Sequence, residues 1–186
     1  MDYKKIILGF LFVIIYALFT ACIGEKDDAN CKPLGETIQN DLILLSPLQV
    51  AYQQGDIINV KLTVPSQNTF FGGVPRNIFA ETGATFGVCF LRMYPIDGLF
   101  TGNTINLVSG VQVEAPGKYH IPLNFNTGNY EFEANITLNR LGNYKLPSGG
   151  NSDQINFIGA NQCDFFVIGT SKAGSNANGN IEFVVQ

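Results

Sequence analysis

The sequence predicts an all-β protein: an antiparallel sandwich of about seven to nine strands spanning residues 41–186. Three observations carry that expectation. Apolar residues recur with period two in several segments, the spacing of strands with one face on a core and one in water. Clusters of Gly, Pro, Asn and Asp separate those segments at short intervals. No segment of this region sustains a 3.6-residue period with caps, which argues against crossover helices and the parallel sheet they would build.

Ahead of that domain, residues 1–21 read as a signal peptide. Lys4 and Lys5 form a short basic region, and Ile6 to Phe19 is an apolar run broken only by Gly9 and Tyr16. As a helix that run would be about 21 Å long against a bilayer core of about 30 Å, which fits a signal core better than a span. Small residues Thr20 and Ala21 then precede Cys22, and Glu25-Lys26-Asp27-Asp28 follows. Residues 22–40 are expected to be a polar, flexible tether.

Strands are expected next at Leu42–Leu45 and Leu48–Tyr52. Ile58, Val60, Leu62 and Val64 alternate with polar partners, and an apolar run covers Thr85–Tyr94. Tyr119, Ile121, Leu123 and Phe125 alternate, as do Phe132, Ala134, Ile136 and Leu138. Further strands are expected at Gln154–Ile158, Gln162–Gly169 and around Ile181, Phe183 and Val185. Between them stand turn signals such as Gln54-Gly55-Asp56, Asp97-Gly98, Ala115-Pro116-Gly117 and Ser148-Gly149-Gly150-Asn151.

Several resemblances refine this reading. Leu18-Phe19-Thr20-Ala21-Cys22 resembles the lipobox of bacterial lipoproteins, with Phe19 departing from the smaller residue usual there. The likeness implies acylation of Cys22 and a membrane held through a lipid anchor, which two or more acyl chains make stable. Lys26, Asp27 and Asp28 resemble the export signal of surface lipoproteins of Bacteroidota, which implies exposure on the outer membrane. The run from Leu44 to Asp56, with its Tyr52-x-x-Gly55-Asp56 turn, is similar to the openings of such lipoproteins. Separately, a strongly alternating strand running into Leu141-Gly142-Asn143-Tyr144 is placed like strand E, a turn and the tyrosine of strand F in an immunoglobulin-like sandwich.

Composition excludes several functions. Without residues 1–21 the chain keeps nine basic and fourteen acidic residues and has no basic run. Nucleic acid is therefore not an expected partner. The single histidine, His120, falls on the polar side of its strand, so no Ser-His-Asp or Cys-His system is expected. One histidine and dispersed cysteines do not make a zinc site, and no loop has the acidic spacing of a calcium site. No cofactor is expected. Glu131 and Glu133 share a strand face about 7 Å apart, a glycosidase-like separation, but they alternate with core residues and read as a wetted face. Once Cys22 is acylated, Cys31, Cys89 and Cys163 remain; the expected bridge is Cys31–Cys163 or Cys89–Cys163, with buried free thiols as the alternative.

The connection from Pro65 to Gly83 is long for a compact domain and carries Phe70, Phe71, Arg76 and Phe79. The first expectation is a flap whose phenylalanines pack on the end of the sandwich; because such residues dominate binding hot spots, the competing reading is a partner-binding segment. The expected function is a non-enzymatic, lipid-anchored binding module for an envelope protein or an extracellular macromolecule such as a glycan. A subunit of an outer-membrane transport or secretion assembly is the alternative, and a glycan-active enzyme the third.

Overall fold

The computed structural model describes residues 31–91, 102–113, 117–148, 153–161 and 163–186. The chain divides into two units, Met1–Cys31 and Lys32–Gln186, and every element below belongs to the second. The expected signal peptide, Cys22 and the Lys26, Asp27, Asp28 cluster lie outside the described residues, as do residues 92–101, 114–116 and 149–152 with their expected turns.

The protein is all-β. Its strands are β1 (Gly35–Ser46), β2 (Ala51–Tyr52), β3 (Ile57–Pro65), β4 (Gln67–Asn68), β5 (Arg76–Asn77), β6 (Phe86–Leu91) and β7 (Thr104–Ser109). They continue with β8 (Val111–Gln112), β9 (Lys118–Asn124), β10 (Asn129–Thr137), β11 (Gly142–Pro147), β12 (Asp153–Ile158), β13 (Phe165–Lys172) and β14 (Asn180–Val185). One short helix, α1 (Ile78–Thr82), lies between β5 and β6.

Seven strands form a barrel-like sheet. The order β10-β3-β1-β13-β12-β6-β9 returns on itself because β9 also pairs with β10, through Asn129↔Asn124 and Tyr130↔Leu123. Beyond that hairpin β9 and β10 diverge, and the gap is filled by β7 on β10 and β8 on β9. Gly110 joins these two short strands at φ 102°. A Cβ there would stand 2.7 Å from Phe132 Cδ2 and 3.1 Å from the His120 carbonyl, so the crossing tolerates only glycine.

Period two decides what fills the interior. Ile58, Val60, Leu62 and Val64 of β3 are fully buried, and so are Tyr130, Phe132, Ala134 and Ile136 of β10, apart from at most 1% exposure. The register Tyr130↔Val64, Phe132↔Leu62, Ala134↔Val60, Ile136↔Ile58 sets these inward rows side by side. Each large apolar side chain so buried contributes about 1.5–3 kcal/mol. A smaller sheet, β11-β14-β2, adds Tyr144, Leu146, Ile181, Phe183 and Val185 to the same core. Tyr144 stacks on Phe183 at 4.9 Å and Tyr52 meets it edge-on at 5.0 Å.

Three sequence expectations need correction. Strand β1 begins at Gly35, inside the stretch expected to be tether. Its first half alternates between half-buried and exposed residues, too polar to register as a strand, and it is held by pairing with β13. That pairing is parallel (Gly35↔Phe166 to Gln39↔Thr170), as is β14 with β2, so the sheets are mixed rather than purely antiparallel. A parallel pair needs a crossover, and here most of the domain supplies it, which leaves no local signal. Finally, fourteen strands stand among the described residues, more than the expected seven to nine. Those not anticipated include β4, β5, β7 and β8, of which three are two-residue strands.

Candidate functional site

The Pro65–Gly83 connection is a folded flap. Ser66 N–H donates to the Gly128 carbonyl, tying the start of the flap to the β9–β10 hairpin, and Ile78 N–H donates to the Ser66 carbonyl, folding the flap back on its own start. β4 pairs with β5, and α1 is capped by the Asn77 side chain, which accepts from Ala80 N–H at 2.9 Å. Gly83 closes the helix at φ 72°. The four expected binding residues are largely spent on internal contacts. Phe71 packs on Phe166 at 4.6 Å and is only 9% exposed. Phe70 and Phe79 are partly buried against the core. Arg76 lies over the Phe166 ring, 4.9 Å from its centroid, and its guanidinium is bound by Glu81. The hydrogen bond with Glu81 raises the Arg76 pKa, and the same bond with Arg76 holds the Glu81 carboxyl below its ordinary range. What the flap end leaves in water is Val74 and, on the adjoining β9–β10 hairpin, Phe125.

His120 lies on the outer face of β9, stacked on Phe86 at 4.1 Å. Its neighbours across the register are Val88 on β6 and Val111 on β8. Phe90 stands on the same outer face with Lys118 Nζ 5.8 Å from its centroid. Phe86 and Phe90 are each 39% exposed, and Val111 more so. This strip of aromatic and aliphatic side chains occupies positions where alternation would place polar residues. The apolar run Thr85–Tyr94 contained its signal, because a strand apolar on both faces has an outer face to account for.

The two strand carboxylates are engaged with neighbours. Glu131 accepts from Asn124 Nδ2 at 3.0 Å and Thr127 Oγ1 at 2.7 Å, and these bonds lower its pKa. A carboxyl held ionised is poorly suited to serve as the general acid of glycoside hydrolysis. Glu133 accepts from Asn59 Nδ2 at 2.9 Å, with Lys61 Nζ at 3.9 Å. Among the described residues no group of His, Cys, Asp and Glu could hold a metal ion, and no helix is long and apolar enough to cross a membrane.

Cys31 and Cys163 are both disulfide-bonded, and Cys89 is a buried free thiol. The Cys89–Cys163 alternative is thereby set aside: Cys89 points into the barrel, whereas Cys163 is exposed ahead of β13. Burial pushes the Cys89 thiol far above its ordinary pKa, and the Asp153 charge adds to this.

Beside Cys89, at the end of the barrel opposite the flap, two charged side chains are wholly buried. Lys172 Nζ donates to Asp153 Oδ2 at 2.5 Å and to the Pro147 carbonyl at 2.7 Å, and both side chains have no exposed surface. Burial lowers the Lys172 pKa despite the opposing pull of Asp153. Sequence reasoning missed this pair, yet a signal existed. Lys172 continues the inward phase of Phe166, Ile168 and Thr170, and Asp153 that of Ile155 and Phe157.

A shallow depression of about 460 Å³ lies over the small sheet, lined by Val50, Asn143, Lys145, Glu182 and Val184 among others. Compared with known proteins, the chain matches no family model, no curated sequence and no solved structure.

Proposed function

We propose that the chain is a lipid-anchored, surface-exposed binding module without enzymatic activity, held at the outer membrane through Cys22 and taking an envelope protein or extracellular macromolecule as partner. The observation that carries the binding reading is the outward strip of Phe86, Phe90, His120 and Val111, a contiguous apolar surface of the kind that marks an interaction site. The flap is the weaker surface, because its aromatic residues and its arginine already satisfy one another.

The immunoglobulin-like assignment of the fold belongs to this proposal too. It is supported by the neighbours β1-β3-β10-β7, which match strands A, B, E and D, and by the β11–β14 pair in the place of F and G. Tyr144 Oη donates to the Arg140 carbonyl at 2.9 Å, the bond of a tyrosine corner. One departure stands out: β6, which follows β3 where strand C is expected, pairs with β12 and β9 rather than with β11.

The test is crosslinking on intact cells. The double change Phe86→Ser and Phe90→Ser should abolish the crosslinked partner while the melting temperature moves by only a few degrees. A crosslink that survives it would reject the strip. A single stoichiometric membrane protein in the wild-type crosslink would identify the chain as a subunit of an outer-membrane assembly.

A further inference from the structure

We propose that Lys172 and Asp153 are a covalent modification site, at which the lysine amine and the aspartate carboxyl condense to an intramolecular isopeptide bond joining β13 to β12. The juxtaposition is built by the fold. β12 and β13 are paired antiparallel neighbours, with Asp153 opposite Thr170, so that Lys172 is the next inward residue beyond the pair. Nζ and Oδ2 are 2.5 Å apart, and both side chains are sealed from solvent.

Four physical considerations favour the reaction. A buried ion pair carries the desolvation cost of two charges, which its mutual attraction repays only in part. The amide is neutral and discards that cost. Holding amine and carboxyl together makes the condensation intramolecular, and well-oriented pairs reach effective molarities of about 10⁵–10⁸ M, which lowers the barrier. Burial also drives Lys172 toward the neutral amine, the nucleophilic form. Two titratable groups beside the pair among the described residues do not compete for the carbonyl: Cys89 is kept as a thiol by burial, and Tyr119, opposite Cys89 on β9, has its pKa pushed up to about 12.

The step balances without any co-reactant. A proton passes from the Lys172 ammonium to Asp153, giving amine and carboxylic acid. The Nζ lone pair attacks Cγ, forming the N–C bond. One carboxyl oxygen then departs with two protons as water, leaving the amide.

Peptide mapping of the full-length chain by tandem mass spectrometry, after reduction and denaturation, tests the site directly. The expected result is a branched peptide that links Lys172 to Asp153 and is lighter than its two components by one water. Asp153→Asn should give the same amide with loss of ammonia instead, and Asp153→Ala should restore a linear Lys172 peptide. Wild-type protein whose Lys172 peptide is linear, and whose Nζ is acetylated after denaturation, would overturn the proposal. That outcome would leave the binding reading intact.

Discussion

Arg76 and Glu81 form a fork contact across one turn of the flap. Nε lies 3.0 and 2.9 Å from the two carboxylate oxygens and Nη2 lies 2.5 Å from Oε2. Glu81 also accepts from the Asn77 backbone N–H, so the pair braces the helix N-terminus as well as the loop. With both side chains about a third exposed, the pair contributes only about 0.5–1 kcal/mol. Because the Glu81 pKa is lowered in the folded state, chiefly by Arg76, its contribution is present above the unfolded carboxyl value of about 4.3. It is lost as pH falls through the folded value. Urea unfolding of Arg76→Ala should therefore show a deficit near pH 7 that vanishes in strong acid. A deficit independent of pH would mean that the arginine acts through its packing on Phe166.

The flap residues separate into structural and exposed sets, and two substitutions distinguish them. Phe71→Ala removes a ring packed on Phe166 and should destabilise the domain by about 3–4 kcal/mol. Phe125→Ala removes a side chain that is 68% exposed and meets Phe79 only edge-on, so its cost should stay below about 1 kcal/mol. Chemical denaturation of both variants checks the contrast. Equal losses would show that the hairpin tip is as essential to the flap as its buried anchor.

How far the sequence could be read follows from these same residues. Val64, Leu62 and their row on β3, and Phe132 and its row on β10, announce strands because the inward face is uniformly apolar. The parallel partner of β1 was not legible, since pairing Gly35 with Phe166 depends on contact across most of the domain. Phe71 and Arg76 stand out in the sequence as an aromatic and a cation in a long loop. Whether an aromatic in a long loop faces water or its own core is decided by the Phe166 ring beneath it, and only the assembled barrel supplies that ring. Lys172 and Asp153 illustrate the reverse case: a charge in an inward phase was visible, and its meaning was not.

Gly110 and Gly55 offer a test of the barrel seam. Both have positive φ, at 102° and 96°, but a Cβ at Gly55 meets nothing within 4 Å. Alanine at Gly55 should therefore cost only the left-handed backbone term, about 1–2 kcal/mol. Alanine at Gly110 adds a collision with Phe132 and the His120 carbonyl and should cost about 3–5 kcal/mol in total. Similar melting temperatures for the two variants would indicate that β7 and β8 yield easily and do not seal the gap.

Tyr144→Phe isolates the corner hydrogen bond. The ring keeps its stack on Phe183, while the bond to the Arg140 carbonyl and the one accepted from Asn103 Nδ2 at 3.3 Å are lost. The expected cost is about 1–2 kcal/mol with an unchanged urea m-value. A fall in the m-value would place the corner's role in keeping β11 and β14 docked.

Cys89 reports on the barrel interior. Its side chain has no exposed surface, and its thiol is held protonated by burial, so neither access nor thiolate is available in the folded state. Alkylation at Cys89, followed by peptide mapping, should be slower in native protein than in denaturant by at least about a thousandfold, since it requires opening against the domain's stability. The rate should rise with urea in step with global unfolding, because β6 is held on both sides, by β12 at Ile155 and by β9 at Tyr119. Labelling that is fast and insensitive to urea would show that β6 opens locally. In that case the outward Phe86 and Phe90 strip, carried on the same strand, would be a mobile surface rather than a rigid one.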